Sequence, residues 1–191
     1  LENISALHKI NNHTLLADVC LAALHEGQSI TRDYPKYQAK YDDSPSEMCT
    51  MLARSFADIG DIVRGRDLYL GNPQEKKQRE QLDDNLKKIF ENIYEELKKD
   101  RNLKEGAQKR YGGDPDFFKL REDWWALNRK EVWKAITCEA GTSDKYFRKT
   151  ACGGGKSSTP NKCRCGDGDV NIVPTYFDYV PQYLRWFEEW A

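Results

Sequence analysis

The run Cys49-Thr-Met-Leu-Ala-Arg-Ser-Phe-Ala-Asp-Ile-Gly-Asp-Ile-Val-Arg-Gly-Arg-Asp67 decides the fold. At helical spacing Leu52, Phe56, Ile59 and Val63 fall at i, i+4, i+7 and i+11, one continuous apolar stripe. Arg54, Asp58, Asp61 and Arg64 fall off that stripe, and the small residues Ala53, Ala57 and Gly60 lie beside it. Small residues admit a close neighbour, so this stretch predicts a central helix, from about 46 to 66, packed on more than one side.

Toward the N-terminus a helix is expected from Thr14, with Leu16, Val19 and Ala23 as its stripe, Leu15 and Cys20 adjacent, and Gly27 as its stop. Residues 28–48 hold Pro35, Pro45 and several tyrosines without a sustained period, and predict an ordered connection in which Tyr34, Tyr37 and Tyr41 pack. Toward the C-terminus, Gly71-Asn-Pro73 breaks the chain and a long helix follows from Pro73 to about Arg101, striped by Leu82, Leu86, Ile89, Ile93 and Leu97. Gly112-Gly-Asp-Pro115 reads as a turn, with Asp114 as N-cap and Pro115 at the first helical position. The next helix carries Phe117, Phe118, Leu120, Trp124, Trp125 and Leu127. It continues, or restarts with Asn128 as a cap, through Trp133 and Ile136 to Cys138. Two adjacent tryptophans cannot both face one core, which places at least one at an interface. Residues 139–175 are irregular and cysteine-rich, and a last helix starts at Pro181 with Val180, Leu184, Phe187 and Trp190 on its buried face. The sum is an all-α protein, a helical bundle with long disulfide-pinned loops.

Composition narrows the partners. The chain has 191 residues, 32% of them charged, yet a formal net charge of −1. No global field favours nucleic acid, so any polyanion site is a local patch. No apolar run approaches the ~20 residues that span a bilayer, so membrane attachment would come from segments outside this chain. Both ends interrupt a pattern, which reads as a fragment. Six cysteines (Cys20, Cys49, Cys138, Cys152, Cys163, Cys165) form an even set with irregular spacing. They point to an oxidising compartment and structural disulfides, with many pairings open. Cys20 and Cys49 lie near helix ends expected to face each other, so a Cys20–Cys49 bridge is expected first.

Motifs for chemistry fail on inspection. Gly153-Gly-Gly-Lys-Ser157 lacks the glycine that a phosphate-binding loop needs at position 150, which is Thr150, and no strand precedes it. Cys138, Cys152, Cys163 and Cys165 lack the paired knuckles of a zinc site. Asp167-Gly-Asp169-Val-Asn171 opens like a calcium loop, but Ile172 and Asp178 stand at its sixth and twelfth positions. His8, His13 and His25 share no metal or triad spacing. No catalytic residue, metal or cofactor is implied, and the chain reads as no enzyme. Two acceptor patterns for N-glycosylation, at Asn3 and Asn12, are too short to carry weight. The candidate ligand site is a run of cations, Lys98, Lys99, Arg101, Lys104, Lys109 and Arg110, which outnumbers Asp100 and Glu105. Cations there suit a helix C-terminus. They would also pair with the anionic oxygens of a sulfated or sialylated glycan.

Three runs resemble one family in order. They are 53–67 of the central stretch, Arg121-Glu-Asp-Trp-Trp125 with Val132-Trp-Lys-Ala-Ile-Thr-Cys138, and Tyr176-Phe-Asp-Tyr-Val-Pro-Gln-Tyr-Leu-Arg-Trp-Phe-Glu-Glu-Trp190. Together they are similar to the alpha type of Duffy-binding-like domain. That type is found in the variant erythrocyte membrane protein one adhesins of the malaria parasite Plasmodium falciparum. The resemblance implies one incomplete domain over 1–191, mainly its middle helical-bundle subdomain. It further implies an exported protein on the extracellular face of the infected red cell, and adhesion to host receptors in cytoadherence or rosetting. Heparan sulfate, blood-group sugars and complement receptor one are the partners it suggests. The matching motifs read as scaffold, so ligand choice is expected from 28–48, 98–110 and 139–172. The rival expectation is a structural subdomain that supports neighbouring binding domains without a ligand of its own.

Overall fold

The computed structural model describes residues 12–41, 46–68, 71–146, 148–166 and 172–185. Helices α1 (Asn12–Tyr41), α2 (Ser46–Arg64), α3 (Pro73–Lys99), α4 (Lys104–Tyr111) and α5 (Phe118–Ile136) precede two 3-10 turns, Phe177–Tyr179 and Gln182–Leu184. Among the described residues there is no strand beyond two isolated bridges, Cys152 to Ser157 and Asn161 to Arg164. The fold is all-α.

The central stretch forms α2 as its periodicity predicts. Leu52, Phe56 and Val63 are buried, and so are Ala53, Ala57 and Gly60, so the helix is covered on two sides; Ile59 is half-buried. Two charged residues placed off the stripe are buried as well, Asp61 and Arg64, which form an ion pair at 2.9 Å. α3 starts where Asn72 caps it. Its side chain accepts from the amides of Gln74 and Glu75, and Glu75 answers the Asn72 amide.

α1 departs from expectation. Gly27 does not stop it; the helix runs on through Pro35 to Tyr41. Leu15, Val19, Ala23, Gly27 and Tyr34 line its buried side, with Leu15 rather than Leu16 in the core. Gly27 is a close-approach residue, because a Cβ there would overlap the Ile136 carbonyl. Tertiary packing thus overrides the stop expected at Gly27. The side chains of Tyr37 and Tyr41 lie outside the described residues.

α5 also begins later than its turn suggests. Phe117 takes a positive φ of 56° before the helix, and Asp114 reaches the Lys119 amide at 2.8 Å. It then runs unbroken through Asn128, which donates to the Trp124 carbonyl at 2.8 Å instead of capping a new helix. Both adjacent tryptophans are buried. Trp124 meets Phe90 edge-on and donates its indole N–H to Asn12 at 2.6 Å, while Trp125 lies under the Arg64 guanidinium. The helix expected from Pro181 is a 3-10 turn with Leu184 exposed; Phe187 and Trp190 lie outside the described residues.

The chain divides into two compact units, Leu1–Asp18 with Asp61–Asn128, and Val19–Gly60 with Arg129–Ala191. In the second, Cys49 is bonded to Cys163 and Cys152 to Cys165, while Cys20 and Cys138 are free. The expected Cys20–Cys49 bridge is therefore replaced. Because α1 extends to Tyr41, Cys20 sits in mid-helix, where burial and then the Glu131 charge push its thiol pKa up. Cys49 instead meets the irregular segment, where Trp133 donates to the Cys163 carbonyl at 3.2 Å.

Candidate receptor-contact surface

The signature around Arg64-Gly-Arg-Asp67 is consumed by the fold. Arg121, fully buried, donates to the Val63 carbonyl at 2.9 Å and to Asp83 at 2.5 Å. Glu122 lies 2.6 Å from Arg66 and 3.7 Å from Arg64. Gly65, at φ 69°, gives Arg121 and Phe118 the space a side chain would fill. A neighbouring cleft of about 260 Å3 holds Ile62 and Leu82 among charged residues that pair with one another or with the scaffold. These pairs are Asp67 with Arg79, Lys76 with Glu80, and Asp83 with Arg121. Such a site offers no isolated acid, base or nucleophile.

The six candidate cations do not act as one set. Lys98 pairs with Glu95 at 2.6 Å and lies 4.9 Å from the Tyr94 ring centroid; the Glu95 carboxylate holds its ammonium above the usual lysine value. Arg110 reaches both oxygens of Asp123, at 2.5 and 2.6 Å, and Tyr111 donates to the same carboxylate at 2.7 Å. That contact ties α4 to α5, and Arg110 together with Tyr111 holds the Asp123 carboxyl below its usual range. Lys99, Arg101, Lys104 and Lys109 remain exposed, with no carboxylate partner among the described residues. Lys104 and Lys109 are five residues apart on α4, roughly 140° around the helix, so they address different directions. Sequence reasoning missed α4 itself, whose single buried side chain is Ala107.

The irregular segment is ordered by covalent and polar ties. The amides of Gly155, Lys156 and Ser157 all donate to the Cys152 carbonyl at 3.0–3.1 Å. Those donors are therefore spent inside the turn and form no phosphate cradle. Thr159 is buried and accepts from the Tyr146 amide at 2.7 Å, whereas Lys145, Lys149 and Lys156 are exposed. Arg164 is occupied by Thr137 and the Lys134 carbonyl. Among the described residues no group of His, Cys, Asp and Glu is arranged to hold a metal, and no helix is long and apolar enough to cross a membrane. The calcium-like run at 167–171 lies outside the described residues.

Buried motif charges, disulfide-tied loops and exposed cations define a helical, disulfide-pinned domain class. The family model of the Duffy binding domain matches residues 1–185, and the chain belongs to that family. It is similar to the NTS-DBL1(alpha-1) domain of PfEMP1 from the Plasmodium falciparum varO strain, at 43% identity and a TM-score of 0.70 over 93% of this chain and 37% of that one. The varO NTS-DBL1-alpha and CIDR-gamma double domain gives 43% and 0.69, over 93% and 24%. The PfEMP1 IT4var13 DBLbeta domain bound to ICAM-1 gives 33% and 0.61, over 97% and 41%. The chain thus spans less than half of each of these solved chains. Among curated proteins, none matches.

Proposed function

We propose that the chain is an adhesion module of a parasite surface protein. It would be displayed on the infected red cell and contact a host receptor through residues outside the buried helical core. The observation that carries this reading is the division of labour in the structure: the signature residues Asp61, Arg64 and Arg121 are buried in ion pairs, while charged loop residues are exposed. Likeness to a domain bound to ICAM-1 supports receptor binding in general. On this reading residues 1–191 are part of one Duffy-binding-like domain, mainly its middle subdomain.

The finer form of the proposal is a sulfated-glycan contact by Lys99, Arg101 and Lys104, exposed cations left over once Lys98 and Arg110 are paired and Lys109 faces another direction. Soluble protein is expected to be retained on heparin and released by salt, because exposed ion pairs are screened. Charge reversal at Lys99, Arg101 and Lys104 is expected to abolish retention. No retention at low salt rejects the glycan contact. Arg110→Glu is unsuitable as a probe, since it breaks the tie to Asp123. The second reading is a subdomain that supports neighbouring domains, favoured by the motif charges Asp61, Arg64 and Arg121, which are paired inside the fold. Folded protein that binds neither red cells nor glycans would select it.

A further inference from the structure

The apolar stripe of α3 runs on past the part of the helix that the core covers. Leu86, Ile89, Phe90 and Ile93 are buried, but none of residues 73–85 is. Leu82, one turn before Leu86 on the same stripe, is half-buried. With the half-buried Ile62 of α2 it lines the cleft of about 260 Å3 beside Gly65. The charged lining of that cleft is neutralised from within. Asp67 is paired with Arg79, Lys76 with Glu80 at 3.9 Å, and Asp83 with Arg121 at 2.5 Å. Every charged residue lining the cleft thus has a partner of opposite sign, and a charged occupant would have to break one of these pairs.

Arg121 adds one hydrogen-bonding edge to this cleft. The residue is fully buried, and its guanidinium lies over the rings of Phe90 and Phe118, 5.8 and 5.9 Å from their centroids. Its Nε donates to the Val63 carbonyl and its Nη2 to Asp83, whereas Nη1 has no acceptor among the described residues. A buried donor without a partner is costly, so such an atom marks where an acceptor belongs. Gly65 is the cover over it: a Cβ there would stand 2.6 Å from Nη1. Gly65 and Asp83 both line the cleft, which brings Nη1 to its wall. Because Asp83 already meets the guanidinium charge, a second carboxylate at Nη1 would crowd a like charge. A neutral carbonyl oxygen fits.

We infer that this cleft is a docking site for an uncharged segment of a partner protein. A leucine-like side chain lies on Ile62 and Leu82, and its main-chain carbonyl accepts from Arg121 Nη1 beside Gly65. The volume is below the roughly 300–1,000 Å3 of small-molecule sites and suits a side-chain anchor. Removing Ile62 and Leu82 from water drives the contact, and the one orphan donor fixes its orientation. The site uses no residue of the 98–110 set, so the inference goes beyond the glycan contact and stands if heparin retention fails.

The test is an NMR titration of the isotope-labelled full chain with acetyl-Gly-Ser-Leu-Ser-Gly-amide and its counterparts carrying lysine or glutamate in place of leucine. The leucine peptide is expected to produce saturable shifts at 62–67 and 76–83 and in the Arg121 guanidinium resonances. Those shifts should persist as salt is raised, because an uncharged occupant is not screened. The charged counterparts are expected to produce none. Leu82→Gln, at a position half open to solvent, is expected to lower the apparent affinity about tenfold. Gly65→Ala, which closes the approach to Nη1, should lower it as well. Arg101→Glu should leave it unchanged, whatever it does to heparin retention. Absence of shifts, equal shifts with the charged peptides, shifts confined elsewhere, a silent Arg121, or unchanged affinity in both Leu82→Gln and Gly65→Ala would overturn the inference.

Discussion

Gly27 and Gly65 are required for different reasons, and the difference has a measurable consequence. In a free helix, alanine would be favoured over glycine at position 27 by about 1 kcal/mol. Here its Cβ would meet backbone, the Ile136 carbonyl, which cannot swing aside as a side chain does. Sterics therefore reverse the sign, and Gly27→Ala is expected to destabilise by roughly 2–4 kcal/mol in urea unfolding. At Gly65 the obstacles are side-chain ends, Arg121 Nη1 and Phe118 Cε1, and the added cost is the φ of 69°. Gly65→Ala should cost less, about 1–3 kcal/mol. Equal losses at the two positions would contradict this account. Neither requirement shows in the local sequence, where Gly27 looks like an ordinary helix stop and Gly65 falls inside the helix expected to about 66.

Elements are joined by contacts that local pattern does not report. α4 has almost no apolar face of its own, and it is held to α5 by Arg110 and Tyr111 on Asp123. Asp123 has a lowered folded-state pKa. Its stabilising contribution is therefore complete above the unfolded value near ~3.9 and is lost as pH falls through the lowered one. Amide exchange in 104–111, corrected for intrinsic rate, should accelerate at acid pH, and Asp123→Asn should accelerate it at neutral pH and remove that dependence. The disulfides make the second element-scale test. Cys49 and Cys163 are separated by 114 residues, Cys152 and Cys165 by 13. Loop-closure entropy assigns them about 5 and about 3 kcal/mol. Cys49→Ala/Cys163→Ala should thus lower stability to urea more than Cys152→Ala/Cys165→Ala. The reverse order would show that native-state strain or residual unfolded structure dominates.

At the scale of the whole molecule, the adhesion reading assigns stability and recognition to different residues. Arg64, Arg121, Asp178 and Arg185 are buried and each is paired with an oppositely charged residue, so the family's motifs maintain the helices. Lys156, Ser158 and Pro160 are exposed within a segment whose geometry is set by Cys152, Thr159, Cys163 and Cys165. Exchanging those three exposed residues, with the glycines and cysteines kept, is expected to change stability by no more than about 0.5 kcal/mol. On the adhesion reading, the same exchange should alter red-cell binding. A stability loss of several kcal/mol would place this loop with the scaffold instead.

Periodicity and composition determined the all-α class, the two-sided burial of α2, the start and approximate length of α3, and the irregular cysteine-rich segment. Each of these is written in side chains a few residues apart. The motif runs likewise carried the family, because a shared scaffold preserves its core in order. Only the tertiary structure decided that α1 passes through Gly27 and Pro35, that Cys49 bonds Cys163, and that Arg64 and Asp61 go inside. It also decided which cations remain outward and that Tyr176, Tyr179 and Tyr183 stay exposed. Those outcomes depend on which distant backbone comes alongside, and a neighbour 29 or 114 residues away, as for Lys87 with Asp116 or Cys49 with Cys163, leaves no local trace in the residues it constrains.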